Sequence, residues 1–188
     1  MANESDIYLE ELSIAIKSLQ IKSLLQSDEK THVITFSKQD DFKALNYFCL
    51  TLDKIFMHGL RNKDNGYWMF VKSFCTRDMI HQIIQLKAVQ TNIGRGRTWL
   101  FMILNEKILD GYLTTFQHNP MIIQEYYHSF ALLCSPQLML LQSLICGLEH
   151  VHFKIETDTH YWDAPDFPTY IPSFPNYSES NSRRNILH

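Results

Sequence analysis

TNIGRGRTWLFMILNEKIL, from Thr91 to Leu109, sets two arginines ahead of a long apolar run. Peptide dipoles leave the first turn of a helix partly positive, so cations there are mildly unfavourable and call for an acidic partner. At roughly 100° per residue, Trp99 to Phe116 projects as apolar almost all round, which predicts one central, buried helix. Arg95 and Arg97 are two positions apart on it and diverge by about 200°. They cannot share one role. One is expected to be held by acids or carbonyls of this chain, with Glu106 a candidate acceptor, and the other to face a partner. Gly94 and Gly96 between them suit close backbone approach.

The flanking sequence is helical in the same way. Ile7, Leu9, Leu12, Ile14, Ile16, Leu19, Leu24 and Leu25 recur at near-helical spacing behind Ser5 and Asp6, predicting a helix over 5–26. SDEKTHVITFSKQDD after it reads as a connecting loop. Phe42, Leu45, Phe48, Cys49, Leu52, Ile55 and Phe56 mark a helix over 41–60 that closes near Gly59. RNKDNG is turn chemistry, and GYWMFVKSF predicts one or two helical turns in the core. Thr76 caps a helix carrying Met79, Ile80, Ile83 and Ile84. Asn119-Pro120 opens a helix with Ile123, Tyr126, Tyr127 and Phe130, and Ser135-Pro136 one with Leu138, Leu140, Leu141 and Ile145. HVHFKIETD alternates, as a short strand or as a final helix that begins poorly. The fold class predicted is an all-α orthogonal bundle of seven or eight helices. Its expected divisions are an N-terminal helix and loop (1–39), a core (40–165) and a Pro/Ser-rich extended tail (166–188).

Composition supports a folded, non-catalytic chain. Hydrophobic residues are 45% and charged residues 20% of 188, enough for one substantial core. Cys49, Cys75, Cys134 and Cys146 form no C-x-x-C pair and are expected to be reduced core residues of a cytosolic protein. The acidic N-terminus lacks the pattern of a secretory signal, and no apolar run approaches the roughly 18 residues of a membrane span. GRGR lacks the spacing of a phosphate loop. His150, His152 and His160 lack a defined third ligand and second shell for a metal. No paired acid and base or activated nucleophile is found, so neither an enzyme nor a cofactor is expected. Net charge is -3, but residues 54–107 hold nine Lys and Arg against three Asp and Glu. Residues 1–53 hold five against nine, and residues 108–188 three against eight. Either the middle neutralises the ends within the fold or it forms a basic face for an acidic partner. Arg61, Lys63 and Lys107 are the charge-based candidates for that face.

In order along the chain, YFCLTLDKIFMHGL (Tyr47–Leu60), GYWMFV (Gly66–Val71), TNIGRGRTWLFMILNEKILDGYL (Thr91–Leu113), YYHSFALLCS (Tyr126–Ser135) and LICGLEHVHFKIETD (Leu144–Asp158) resemble the RUN domain family. The GRGR-x-W-L element followed by L-N-E is the most specific part. Within the family the chain is most similar to lysosomal adaptors that also carry a pleckstrin-homology domain. The resemblance implies an effector of GTP-loaded small GTPases, with an Arf-like lysosomal GTPase as partner. It implies a cytoplasmic protein, peripheral on lysosomes, in a longer adaptor that reaches kinesin light chain through regions outside this chain. It points to His58, Arg95 and Arg97 as positions affecting GTPase binding. Alternatives are a Rab- or Rap-type partner, or anionic lipid on the basic segment. Thr98 stands where the family usually has alanine. Trp162, where the adaptors have leucine, is either a closing residue of the bundle or, with Asp163, a Trp-acid contact for kinesin light chain.

Overall fold

The computed structural model describes residues 3–25, 33–34 and 39–169, and eight α-helices are found among them. Helix α1 (Glu4–Leu25) buries Leu9, Leu12, Ala15, Ile16 and Leu19. A two-residue strand β1 (Val33–Ile34) follows, and then α2 (Gln39–Met57). α2 runs antiparallel to α1: Lys54 lies 3.4 Å from Glu11, and Lys22 4.0 Å from Asp41. Beyond α2 come α3 (Trp68–Lys72), the short core segment expected from the aromatic run, and α4 (Arg77–Ile84). The Thr76 hydroxyl caps α4 by accepting from the Met79 amide at 3.2 Å.

The apolar run that predicts one helix is two. α5 (Asn92–Asn105) buries every residue from Gly96 to Leu104, and α6 (Leu109–His118) starts afresh. Lys107, at φ +58°, breaks the run. Its amide donates to Leu104 and that of Ile108 to Ile103, the paired closure of a Schellman motif. Apolar periodicity is blind to that break because residues on both sides of it are buried.

Pro120 opens α7 (Pro120–Tyr126), which ends before Tyr127 instead of continuing to Phe130. Tyr127 turns extended, buries its ring and donates its hydroxyl to the Phe56 carbonyl at 2.7 Å, and Phe130 is 63% exposed. α8 (Gln137–Cys146) runs parallel to α1, with Gln137 against Asp6 at one end and the Gln20 side chain on the Gly147 carbonyl at the other. Cys146, expected in the core, is exposed, as are Ile84 of α4 and Leu140 of α8. The alternating HVHFKIETD resolves as β2 (His152–Phe153), parallel to β1 in the register Val33 with His152 and Ile34 with Phe153. The loop before α2 therefore contributes a strand, and its other residues, 26–32 and 35–38, lie outside the described residues.

Candidate functional site

α5 is held along its length by a strap, residues 155–167. Asn105 accepts the Ile155 amide and donates to its carbonyl, both at 2.9 Å, and the Thr98 hydroxyl donates to Thr157 at 3.0 Å. Trp162 is fully buried on Phe101, ring centroids 4.5 Å apart, with its indole N–H on the Glu156 carbonyl. The Asp163 carboxylate accepts from the amides of Gln90 and Thr91 and from the Thr91 hydroxyl at 2.8–3.0 Å. The acid that complements the helix dipole is thus supplied by the strap. Gly94 leaves room for this carboxylate, since a Cβ there would press against Asp163 Oδ1 and the Val89 side chain.

Arg97 is the inward arginine. Its Nε and Nη2 meet the two carboxylate oxygens of Asp53 at 3.1 Å each, while Nη1 donates to the carbonyls of Trp162 and Ala164 and Nη2 to that of Pro165. The buried Tyr67 hydroxyl donates to Asp53 at 3.0 Å, so both charges are multiply satisfied. The acceptor is Asp53, not Glu106, which is exposed. Asp53 bears a charge that the sequence reading missed, although it sits four positions after Cys49 and three before Phe56, inside the apolar stripe of α2. Phe167 packs over the guanidinium at 5.3 Å, so the strap continues two residues past Pro165. The remainder of the expected tail, 170–188, lies outside the described residues.

His58 is also inward. Its Nδ1 accepts the Leu132 amide at 3.0 Å, which fixes the neutral tautomer with the proton on Nε2, 3.5 Å from Glu4. Burial pulls its pKa below the ordinary value; Glu4 opposes the shift and Lys63 reinforces it. Gly59, at φ +70°, lies where a Cβ would meet Ala131 Cβ at 2.5 Å. The Gly59 carbonyl accepts from His128, and the Arg61 amide donates to Tyr126 at 2.9 Å. This clamp fixes a turn that presents Arg61 and Lys63 beside His128 and Phe130, lining one concavity of about 660 Å³. The rings of His128 and Phe130 stack at 5.5 Å.

Arg95 joins this end of the molecule. Its Nη1 donates to Asn92 Oδ1 at 3.2 Å, and Asn92 donates to Asn65 in the turn after Lys63. Its Nε is buried and has no hydrogen-bond partner among the described residues. Lys107 lies at the opposite end of α5, about 18 Å of helix rise away. Its ammonium donates to the Glu149 carbonyl at 2.9 Å and contacts His152. The basic middle therefore divides: Arg97 and Lys54 meet acids of this chain, whereas Arg61 and Lys63 line one concavity together with Asp64. Phe130 lines the same concavity, whereas the sequence reading set it on the helix opened by Pro120, which ends at Tyr126.

A family model described as "RUN domain" matches residues 47–159. The chain belongs to the RUN domain family. Among known proteins it is similar to mouse pleckstrin homology domain-containing family M member 2, 38% identical over 167 residues. The human protein of that name is 39% identical over 167 residues, and both matches take in 88% of this chain and 16% of the relative. Human RUN and FYVE domain-containing protein 1 is 29% identical over 141 residues, 69% of this chain and 20% of that protein. The chain thus spans about a sixth to a fifth of the length of these relatives.

Proposed function

We propose that this chain is a non-enzymatic effector module that binds the GTP-loaded form of an Arf-like small GTPase. The observation that carries the proposal is the rigid edge at Gly59–Lys63. An exposed Phe130, the cations Arg61 and Lys63 and the acid Asp64 line one concavity, in a chain whose central 47–159 are a RUN domain. An aromatic anchor with a charged rim is the usual build of a protein-binding surface. His58 and Arg97 act as positioning residues: one locks the turn, the other locks the head of α5. Lys107 belongs to a different surface.

In the finer reading, the GTPase is lysosomal and recruits a longer kinesin adaptor to lysosomes. Similarity to family M member 2 supports this, and kinesin light chain is reached outside this chain. Trp162 is fully buried and Asp163 caps α5, which supports the closing-residue reading over a Trp-acid contact for kinesin light chain. No helix among the described residues is long and apolar enough to cross a membrane; in the proposed reading the module meets the lysosome through its GTPase. The test is a pull-down against GTP- and GDP-locked Arf-like, Rab and Rap GTPases. Selective retention of one GTP-bound Arf-like member is expected, and equal retention of both nucleotide states overturns the proposal. Flotation with anionic liposomes in the absence of GTPase would indicate the lipid-binding alternative instead.

A further inference from the structure

α1 is apolar on two opposite faces. One face packs into the bundle between α2 and α8. The other carries Ile7, Ile14 and Ile21 at intervals of seven, then Leu25, and these are 45%, 55%, 58% and 79% exposed. At roughly 100° per residue the four fall within about 20° of one line. Such a seam on a surface helix, at the repeat of helix-to-helix packing, marks an interaction surface.

We infer that the seam is a self-association surface, on which two copies pack α1 against α1 in antiparallel orientation about a two-fold axis level with Ile14. Ile14 then meets Ile14 of the second copy, and Ile7 meets Ile21. The choice of a second copy rests on charge. α1 is acidic in its first half, with Glu4, Asp6, Glu10 and Glu11, and basic in its second, with Lys17 and Lys22. Glu10 and Lys17 are both exposed and lie on the same flank of the seam, about 40° and 60° from its centre. A two-fold axis across the helices keeps each flank with itself and reverses direction. Glu10 of each copy therefore stands level with Lys17 of the other, giving two pairs of opposite charge. Parallel packing would set like against like. An anionic membrane fits the seam poorly, because Glu10 and Glu11 border it where a lipid-bound helix carries cations. Four aliphatic side chains per copy make a narrow contact, so the dimer is concentration-dependent rather than permanent. The inference is independent of the GTPase reading.

Analytical ultracentrifugation of the full chain from micromolar to several hundred micromolar tests it. Wild type is expected to shift from monomer to dimer, and Ile14→Glu to stay monomeric at every concentration with an unchanged melting temperature. Glu10→Lys alone and Lys17→Glu alone should each lose self-association, and their equimolar mixture should regain it. Register is read by oxidation in a Cys146→Ser background, which removes the exposed thiol. Ile14→Cys should cross-link to itself, and Ile7→Cys only when mixed with Ile21→Cys. A wild-type chain that stays monomeric throughout, or an Ile7→Cys variant that cross-links to itself, overturns the proposal. So does a monomer that binds phosphatidylcholine–phosphatidylserine vesicles through Ile14.

Discussion

Arg97 and Asp53, 44 residues apart in sequence, meet inside the protein through two contacts of 3.1 Å that join α5 to α2. The same guanidinium binds three carbonyls of the strap, so one side chain ties three parts of the chain together. Removing one partner leaves a buried charge unpaired. Asp53→Ala is expected to lose about 3–5 kcal/mol of stability, read as a lower urea midpoint. Asp53→Leu combined with Arg97→Met should recover much of that loss.

His58 makes stability depend on pH. Its Nδ1 is an acceptor in the fold, and burial holds its pKa below the usual 6.5. The unfolded chain thus takes up a proton at higher pH than the folded one. The contribution is complete above about pH 6.5 and declines as pH falls from there toward the lowered folded value. Urea midpoints measured between pH 7.5 and 5 should drop on acidification, and His58→Gln should flatten that dependence while lowering stability at neutral pH.

Three glycines separate close approach from simple flexibility. Gly59→Ala sets a methyl 2.8 Å from the Ala131 backbone at a positive φ, and Gly94→Ala sets one against Asp163. Each should cost about 1–3 kcal/mol through overpacking, with roughly 1 more at Gly59 for its left-handed backbone. Gly111 in α6 has nothing within 4 Å of its Cβ position, and Gly111→Ala should add up to about 1 kcal/mol. Thermal melting ranks all three.

If the Gly59–Lys63 edge is the GTPase surface, then Arg61→Glu and Lys63→Glu should each weaken binding about tenfold with unchanged melting temperature, and more at low salt. Phe130→Ala should weaken it at least as much. Lys107→Glu, at the other end of α5, should leave it intact. Titration calorimetry with the GTP-bound partner distinguishes these outcomes.

The sequence by itself determined the helical class, most helix starts and the divergence of Arg95 and Arg97. Each of these follows from local rules: periodicity, capping by Thr76 and Pro120, and the pitch of a helix. The RUN resemblance was legible for the same reason, since its motifs are contiguous. Tertiary structure alone decided which arginine turned inward, because Asp53 and the strap carbonyls are brought to Arg97 from 44 and more than 60 residues away. It alone divided the central run at Lys107, set Phe130 on the surface, and supplied Asp163 as the acid at the head of α5. A helical period records which faces are apolar; it carries no information on what meets them across the fold.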